Sequence, residues 1–158
     1  MIEHARLVHL VYYDKDTGVF TWRNPPKGRR AGSICGRTNR GYVEIMLDGV
    51  SYMAHRLAWL YVTGSAPKGL IDHKDTDPSN NAFLNLREAT YAQNGYNRKA
   101  TRANPTGYKG VTKRPWGYQA QVRANGKYQY LGTYKTPEAA HEAYLNAAHQ
   151  LHAEFFNS

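Results

Sequence analysis

The chain has 158 residues, a net charge of +9 and a single cysteine, Cys35. Apolar residues make up 41 % of it and charged residues 21 %, which is typical of a globular protein and excludes a disordered one. One cysteine excludes an internal disulfide framework and a cysteine-rich zinc site.

No run approaches the ~20 apolar residues that a membrane span requires, and the N-terminus lacks a signal-peptide pattern. We therefore expect an intracellular, cytoplasmic protein that is not secreted and has no membrane partner. A basic surface of this kind usually attracts a polyanion, most often nucleic acid.

The first third of the chain alternates short elements with turns. Residues 2–12 predict a short helix, and residues 19–22 predict a short strand because they are β-branched and aromatic. Residues 24–41 combine glycine, proline and five arginine or lysine residues, which predicts a basic loop.

Residues 42–53 form the clearest hairpin pattern, since Asp48-Gly49 separates two alternating apolar runs. Residues 54–63 then carry apolar side chains at helical spacing, and Gly64 can cap the C-terminus of that helix.

The next thirty residues predict a strand, a long polar turn, a second strand and a helix. These elements are a strand at 69–73, a turn at 74–82, a strand at 83–86 and a helix from Thr90, its N-cap, to about 98. Residues 98–105 are basic and lack apolar periodicity, so we place a linker and the domain boundary there.

Beyond the linker, the pattern predicts a small sheet followed by one helix. The predicted strands are about 107–112, 118–124 and 127–132, with Asn125-Gly126 as the turn between the last two. Thr136-Pro137-Glu138 opens the helix, and we expect Tyr144 and Leu131 in its core.

Asp72 and His73 stand next to each other at the end of a predicted strand, and several asparagines follow them. Phosphodiester hydrolysis needs a base that activates water and a Lewis acid that stabilises charge on the phosphate. A neutral histidine suits the first role, and Asp and Asn oxygens suit a hard cation such as Mg²⁺. Taken alone, an Asp-His pair or an Asn-rich turn is usually structural.

The motifs between residues 55 and 98 carry a family resemblance. They are His55-Arg56-Leu57, Ile71-Asp72-His73, Asn80-Asn81, Leu84-Asn85-Leu86-Arg87, Ala89-Thr90 and Asn94 to Arg98. They resemble the HNH endonucleases, and most closely the phage and intron homing branch. The resemblance implies an α+β fold with a ββα-metal core, also called a His-Me finger, at about 69–98 within a nuclease domain at 1–97.

By position in that family, His73 would be the general base, and Asp72 and Asn94 would bind the metal. Asn85 would hold the two strands in register and orient His73. The third letter of the motif is Asn94 instead of His, which favours Mg²⁺ or Mn²⁺ over Zn²⁺.

Other polar residues in this region have competing interpretations. We expect His55 to be structural, although it could contact phosphate. Arg56 could be a phosphate contact or a solvated charge, and Arg98 is a candidate DNA contact. Asp75 and Asp77 could lend a ligand, but turn chemistry explains them equally well.

A second resemblance covers nearly all of residues 106–157, within a predicted DNA-binding domain at 106–158. Gly107-Tyr108-Lys109-Gly110-Val111, Arg114-Pro115-Trp116-Gly117, Gln121-Val122-Arg123, Leu131-Gly132-Thr133-Tyr134 and Thr136-Pro137-Glu138-Ala139-Ala140 resemble the AP2/ERF DNA-binding domain. The resemblance implies a three-stranded sheet in the DNA major groove. By position, the DNA-facing residues would be Lys109, Thr112, Arg114, Trp116, Gln121, Arg123, Tyr128 and Tyr130.

Together, the two resemblances predict a homing-type endonuclease that acts on double-stranded DNA as a monomer or weak dimer and nicks one strand. The alternative is a DNA-binding transcription regulator with a decayed nuclease half, although an intact Asp72, His73, Asn85 and Asn94 set argues against decay. An RNA-binding protein is a third interpretation, but the sequence lacks the usual RNA-binding signatures.

Overall fold

The computed structural model describes residues 1–97, 104–124 and 126–152, which form a mixed α+β protein in two compact units, Met1–Thr90 and Tyr91–Ser158. The helices are α1 (His4–Leu10), α2 (Ala54–Thr63), α3 (Tyr91–Asn97) and α4 (Pro137–His152). The strands are β1 (Val11–Tyr13), β2 (Phe20–Trp22), β3 (Arg37–Asn39), β4 (Tyr42–Leu47), β5 (Val50–Met53), β6 (Leu70–His73), β7 (Leu86–Ala89), β8 (Val111–Arg114), β9 (Gly117–Ala124) and β10 (Lys127–Tyr134). Across the described ranges, no helix is long and apolar enough to cross a membrane.

Three small antiparallel sheets make up the first unit: β1 with β2, β3 with β4 and β5, and β6 with β7. The predicted hairpin at 42–53 is confirmed, with Asp48 and Gly49 both at positive φ (48° and 79°), as a two-residue turn of this kind requires. The predicted helix α2 is also confirmed, and Gly64 ends it in the left-handed conformation (φ 72°).

One apolar core holds these sheets and helices together. Its fully buried side chains come from α1, β1, β4 and α2, and they include Leu7, Val11, Ile45, Leu47 and Leu57. The same cluster reaches Ile71 on β6 and Leu86 on β7. The short β6–β7 pair therefore packs on core residues that are distant in the sequence.

Two predicted elements near the N-terminus differ from the structure. The helix predicted over 2–12 ends at Leu10, because the β-branched and aromatic run Val11–Tyr13 pairs with β2 instead. The predicted loop 24–41 contains a short strand, β3, which pairs with β4.

The strand predicted at 83–86 is wrong. Phe83–Asn85 is a 3₁₀ helix, and the strand begins at Leu86 and ends at Ala89. The Phe83 N–H donates to the Lys15 carbonyl and the Asn85 N–H to the Ala82 carbonyl, so these amides are engaged outside a ladder with β6. Asn85 accordingly lies just before β7 and not on it.

The second unit contains the predicted three-stranded sheet and helix. The first strand begins later than expected, at Val111, because Gly107 and Gly110 adopt positive φ (71° and 77°) in a turn before it. The Thr136 hydroxyl accepts the Ala139 N–H at 3.2 Å, which confirms the predicted cap of α4. Tyr144 is buried and Leu131 is partly buried in this core, as expected.

The predicted domain limits stay a prediction. Helix α3 groups with the second unit, whereas the sequence assigned it to a domain at 1–97. Most of the predicted linker, residues 98–103, lies outside the described residues, as does Asn125 of the predicted turn.

Candidate functional site

Asp72 and His73 end strand β6, where they lie opposite Arg87 and Leu86 of β7. Both side chains are buried, with exposed fractions of 5 % and 6 %. Buried carboxylates and imidazoles require partners, because an unpaired charge or polar group in an apolar environment is costly. The partners of these two residues define the site.

Asp72 is held by an ion pair that crosses the β6–β7 ladder. The Arg87 guanidinium reaches one carboxylate oxygen, Oδ2, from Nε at 2.9 Å and from Nη2 at 2.8 Å. The Arg87 side chain is only 13 % exposed. The pair therefore fixes the orientation of the Asp72 carboxylate in a largely buried position.

His73 is held by the loop that connects the two strands. Its Nε2 lies 3.2 Å from Oδ1 of Asn81, which is itself 2 % exposed. The Asn81 amide nitrogen donates to the Ser79 carbonyl at 3.0 Å, and the Tyr13 hydroxyl donates to the Asn81 carbonyl at 2.6 Å. Asn81 belongs to the Asn80-Asn81 motif of the sequence, but no local pattern indicates its contact with His73.

A second histidine lies against the ring of His73. The centroids of His55 and His73 are 5.1 Å apart in an edge-to-face arrangement, and Tyr42 lies 5.8 Å from His55 and 6.2 Å from His73. Burial, with the nearby His73 and Arg56 charges, lowers the pKa of His55 to about 4. His55 therefore stays neutral near pH 7 and adds no positive charge beside His73.

Asn85 organises the polar loop. Its amide nitrogen donates to Asp75 Oδ1 at 2.9 Å and to the Asn80 carbonyl at 2.8 Å, and its Oδ1 accepts the Asp75 N–H. The Asn85 carbonyl also accepts the Lys74 N–H at 2.8 Å. These bonds tie the end of β6 to the segment just before β7. The role predicted for Asn85 stays a prediction, and the described partner of His73 Nε2 is Asn81.

The acidic residues of the same loop form turns. Asp75 accepts the Asp77 N–H, and Asp77 accepts both the N–H and the hydroxyl of Ser79. These bonds hold the pKa of Asp77 below its ordinary value. The structure therefore favours the turn interpretation of both carboxylates.

The two predicted metal ligands, Asp72 and Asn94, supply oxygen atoms only. Within the described ranges, no three His, Cys, Asp or Glu side chains cluster as a metal site would require. Asn94 is partly buried on α3, which groups with the second unit. One carboxylate and one amide fit a cation that keeps several waters and takes phosphate oxygens, as Mg²⁺ does in phosphoryl sites.

Of the two predicted DNA contacts outside the C-terminal sheet, Arg56 and Arg98, the structure describes only Arg56. The Arg56 guanidinium donates to the Gly69 carbonyl at 3.1 Å, so it ties α2 to the start of β6. Arg98 lies outside the described residues.

In the second unit, the predicted DNA-facing residues on the strands share one surface. Buried Val111, Ala120 and Val122 point toward α4, and side chains alternate between the two faces of a sheet. Cross-strand pairing places Gln121 opposite Tyr130 and Arg123 opposite Tyr128. The other face of the sheet therefore presents Thr112, Arg114, Gln121, Arg123, Tyr128 and Tyr130.

Three aromatic residues at or near this face, Trp116, Tyr128 and Tyr130, are well exposed. Trp116, in the turn between β8 and β9, is 81 % exposed, and Tyr128 is 68 % exposed. The Arg123 guanidinium lies 5.6 Å from the centre of the Tyr128 ring. Lys109 is half-buried, and desolvation lowers its pKa to about 8.

Residues 52–96 match the sequence model of a family described as HNH endonuclease. This segment runs from the end of β5 into α3 and contains all four predicted catalytic and metal-binding residues. The HNH endonuclease domain predicted from the sequence is confirmed for this segment.

Two viral proteins are similar to longer parts of the chain. Protein 3.8 of Escherichia phage T7 is 38 % identical over 76 residues, which cover 46 % of this chain and 63 % of the phage protein. A protein named uncharacterized HNH endonuclease, from Acanthamoeba polyphaga mimivirus, is 34 % identical over 103 residues, which cover 64 % of this chain and 54 % of that relative. The chain thus spans between half and two thirds of the length of these relatives.

No solved structure matches the chain. The family match and the mimivirus relative support a nuclease. The resemblance of residues 106–158 to AP2/ERF domains stays a prediction.

Proposed function

We propose that this protein is a metal-dependent HNH endonuclease of the homing type that hydrolyses phosphodiester bonds in double-stranded DNA. The observation that carries the proposal is the Asp72–His73 pair. These adjacent side chains are buried at the end of β6, each has a described partner, and both lie inside the segment that matches the HNH family.

In this mechanism, His73 is the general base. Neutral His73 accepts a proton from water while the water oxygen forms a bond to phosphorus. The bond from phosphorus to the 3′ oxygen breaks, and that oxygen leaves with a proton from solvent. The products are a 5′-phosphate and a 3′-hydroxyl.

A single Mg²⁺ or Mn²⁺ ion, when bound, supplies positive charge that stabilises the phosphate oxygens and the departing oxygen. Asp72 and Asn94 would hold this ion, with water and DNA phosphate as the other ligands. The Arg87 ion pair supports this role, because it holds the Asp72 carboxylate in a fixed orientation.

The sheet of the second unit is the proposed sequence reader. Its face opposite α4 combines arginine, glutamine and tyrosine side chains, and a sheet of this kind can enter the major groove. Specific DNA interfaces bury roughly 1,000–2,500 Å² of protein surface, so a small nuclease unit benefits from an added reader. Trp116 and Lys109 border this face, and Arg56 and Arg98 are proposed phosphate contacts.

One site of this kind cuts one strand. A monomer therefore nicks double-stranded DNA, and a double-strand break requires a second subunit or a second binding event.

The test is conversion of supercoiled plasmid in Mg²⁺, Mn²⁺ or EDTA, with wild type, His73→Ala and His9→Ala compared. His9 is an exposed histidine on α1 and serves as the matched control. We expect metal-dependent open circles from wild type and His9→Ala, and none from His73→Ala, which should still retard DNA in a gel.

Retarded but intact DNA across a library of target sequences would contradict the proposal. That outcome would favour the non-cleaving DNA-binding regulator.

A further inference from the structure

Asn81 is a buried polar residue to which the proposed mechanism assigns no role. It is 2 % exposed, and both ends of its side-chain amide are engaged. Its nitrogen donates to the Ser79 carbonyl, so the atom that faces His73 is the amide oxygen, which can only accept a hydrogen bond. His73 must therefore carry a hydrogen on Nε2.

This requirement decides where His73 is basic. A neutral imidazole carries one hydrogen, and the bond made by one nitrogen fixes the state of the other. With the hydrogen on Nε2, the lone pair that can accept a proton from water is on Nδ1. The rings of His55 and Tyr42 contact the same imidazole and limit its rotation.

Asn81 is in turn fixed by the first hairpin of the chain, which lies outside the family-matched segment. The Tyr13 hydroxyl donates to the Asn81 carbonyl, and Tyr13 packs on Phe20 with 4.5 Å between ring centres. Gly18, in the turn between β1 and β2, lies directly against the backbone of Asn81, because a Cβ there would be 2.3 Å from the Asn81 carbonyl carbon.

We propose that Asn81 is a positioning residue that fixes the Nε2–H tautomer of His73, and that the β1–β2 hairpin holds Asn81 in place for this purpose. The inference deepens the proposed function. Its effect on the cleavage rate rests on that function, whereas the tautomer of His73 can be measured in the protein without DNA.

The first measurement is the ¹⁵N spectrum of the histidine side chains in the full chain, at a pH where the His73 ring is neutral. Loss of a signal in His73→Gln assigns the resonances. We expect wild-type His73 to be protonated on Nε2, and Asn81→Leu to show a mixture of the two tautomers. A wild-type ring protonated on Nδ1 would overturn the proposal, whether or not the protein cleaves DNA.

The matched control is Asn80→Leu in the same loop. Asn80 bonds to Asp75 and to the Ala82 N–H, so this change loosens the loop without removing the described partner of His73 Nε2. We expect Asn80→Leu to retain the Nε2–H tautomer. Equal tautomer mixing in both variants would mean that Asn81 acts only through the loop.

The second measurement is single-turnover cleavage. A catalytic histidine held in the wrong tautomer loses much of its activity, so we expect Asn81→Leu to slow cleavage on the order of 10²-fold, with the Kd for DNA changed less than twofold. Asn81→Asp keeps an acceptor toward His73 but loses the donor to the Ser79 carbonyl, so it should retain the Nε2–H tautomer and recover only part of the rate. A rate loss matched by an equal loss of DNA affinity would contradict the positioning role.

Tyr13→Phe is the alternative test variant if Asn81→Leu does not fold. It removes one hydroxyl while the ring can still pack on Phe20, and we expect a rate loss of less than tenfold together with partial tautomer mixing. An unchanged tautomer in Tyr13→Phe would show that the β1–β2 hairpin is not needed to hold Asn81 in place.

Discussion

His55 makes the first unit sensitive to acid. Its pKa is about 4 in the folded protein, mainly because it is buried, whereas an unfolded histidine titrates near 6.5. As the pH falls from 6.5 toward 4, His55 becomes protonated in the unfolded chain but stays neutral in the folded protein. The free energy of unfolding therefore decreases over this range. By pH 5 the loss amounts to about 2 kcal/mol relative to pH 7.

Urea unfolding at pH 7 and pH 5 measures this loss directly. In His55→Gln, which cannot titrate, the difference between the two pH values should shrink by about 2 kcal/mol. An unchanged difference would mean that other groups cause the acid sensitivity.

The Arg87–Asp72 pair should be important for stability because it is largely buried. Breaking a buried pair leaves an uncompensated charge and typically costs about 3–5 kcal/mol. We therefore expect Arg87→Ala to lower the free energy of unfolding by about 3 kcal/mol when measured without divalent metal.

The exposed Arg6–Asp48 pair offers a matched control in the same unit. Its nitrogen–oxygen distance is 2.7 Å, but both side chains are 47 % exposed. Arg6→Ala should destabilise the protein much less than Arg87→Ala, because solvent and salt screen an exposed pair. Urea unfolding measures both variants. Similar decreases in the free energy of unfolding for Arg6→Ala and Arg87→Ala would show that burial does not determine how much each ion pair contributes to stability.

At the scale of elements, short residue patterns correctly predict the turns and helix caps. Asp48-Gly49, Gly64 and the Thr136 cap all have the expected conformation or hydrogen bond, because each depends on only a few neighbouring residues. The Asp72–His73 strand was also predicted correctly.

Elements that depend on distant partners were not predictable from local pattern. Phe83 pairs its N–H with Lys15, which lies 68 positions earlier, and this contact helps to place a 3₁₀ helix where apolar alternation predicted a strand. The contact of His55 with His73 and the bond of Asn81 to His73 likewise form only when α2, β6 and the polar loop have packed together.

Gly110 fixes how α4 lies on the sheet of the second unit. Its φ is +77°, and a Cβ there would lie 2.1 Å from Cδ2 of Tyr144. Gly107 has a similar φ of +71° but nothing within 4 Å of such a Cβ. The two positions therefore share the backbone constraint and differ in packing.

We expect Gly110→Ala to destabilise the second unit by about 1–3 kcal/mol more than Gly107→Ala, because overpacking adds to the conformational cost. Thermal unfolding of the two variants measures the difference. Equal melting temperatures would show that Tyr144 can move away at little cost.

At the scale of the whole molecule, the positive charge is concentrated in one acid-free stretch. No Asp or Glu lies between Asp16 and Glu44, while six Lys or Arg residues do. Of these six, Arg37 makes the one ion pair found in the described structure, with Glu44. If the protein acts on DNA as proposed, we expect this stretch to contribute phosphate contacts.

Arg29 and Arg30 are exposed and suit a test of this inference. Each phosphate contact contributes a slope of about −0.9 to the dependence of log K on log salt concentration. Replacing both residues by Gln should therefore flatten the slope of DNA binding by about 2. Arg6→Gln is the control, since Arg6 is already paired with Asp48, and an equal change in that variant would mean a general charge effect.

The bond between the Tyr13 hydroxyl and the Asn81 carbonyl also bears on how the protein is made. It joins residues 68 positions apart, so the contact cannot form during synthesis until Asn81 has emerged from the ribosome. A nascent chain that has exposed His73 but still holds Asn81 in the exit tunnel lacks the support that we assign to the histidine. The described surroundings of His73 would therefore be completed only after Asn81 has left the tunnel, and the proposed metal ligand Asn94 emerges later still.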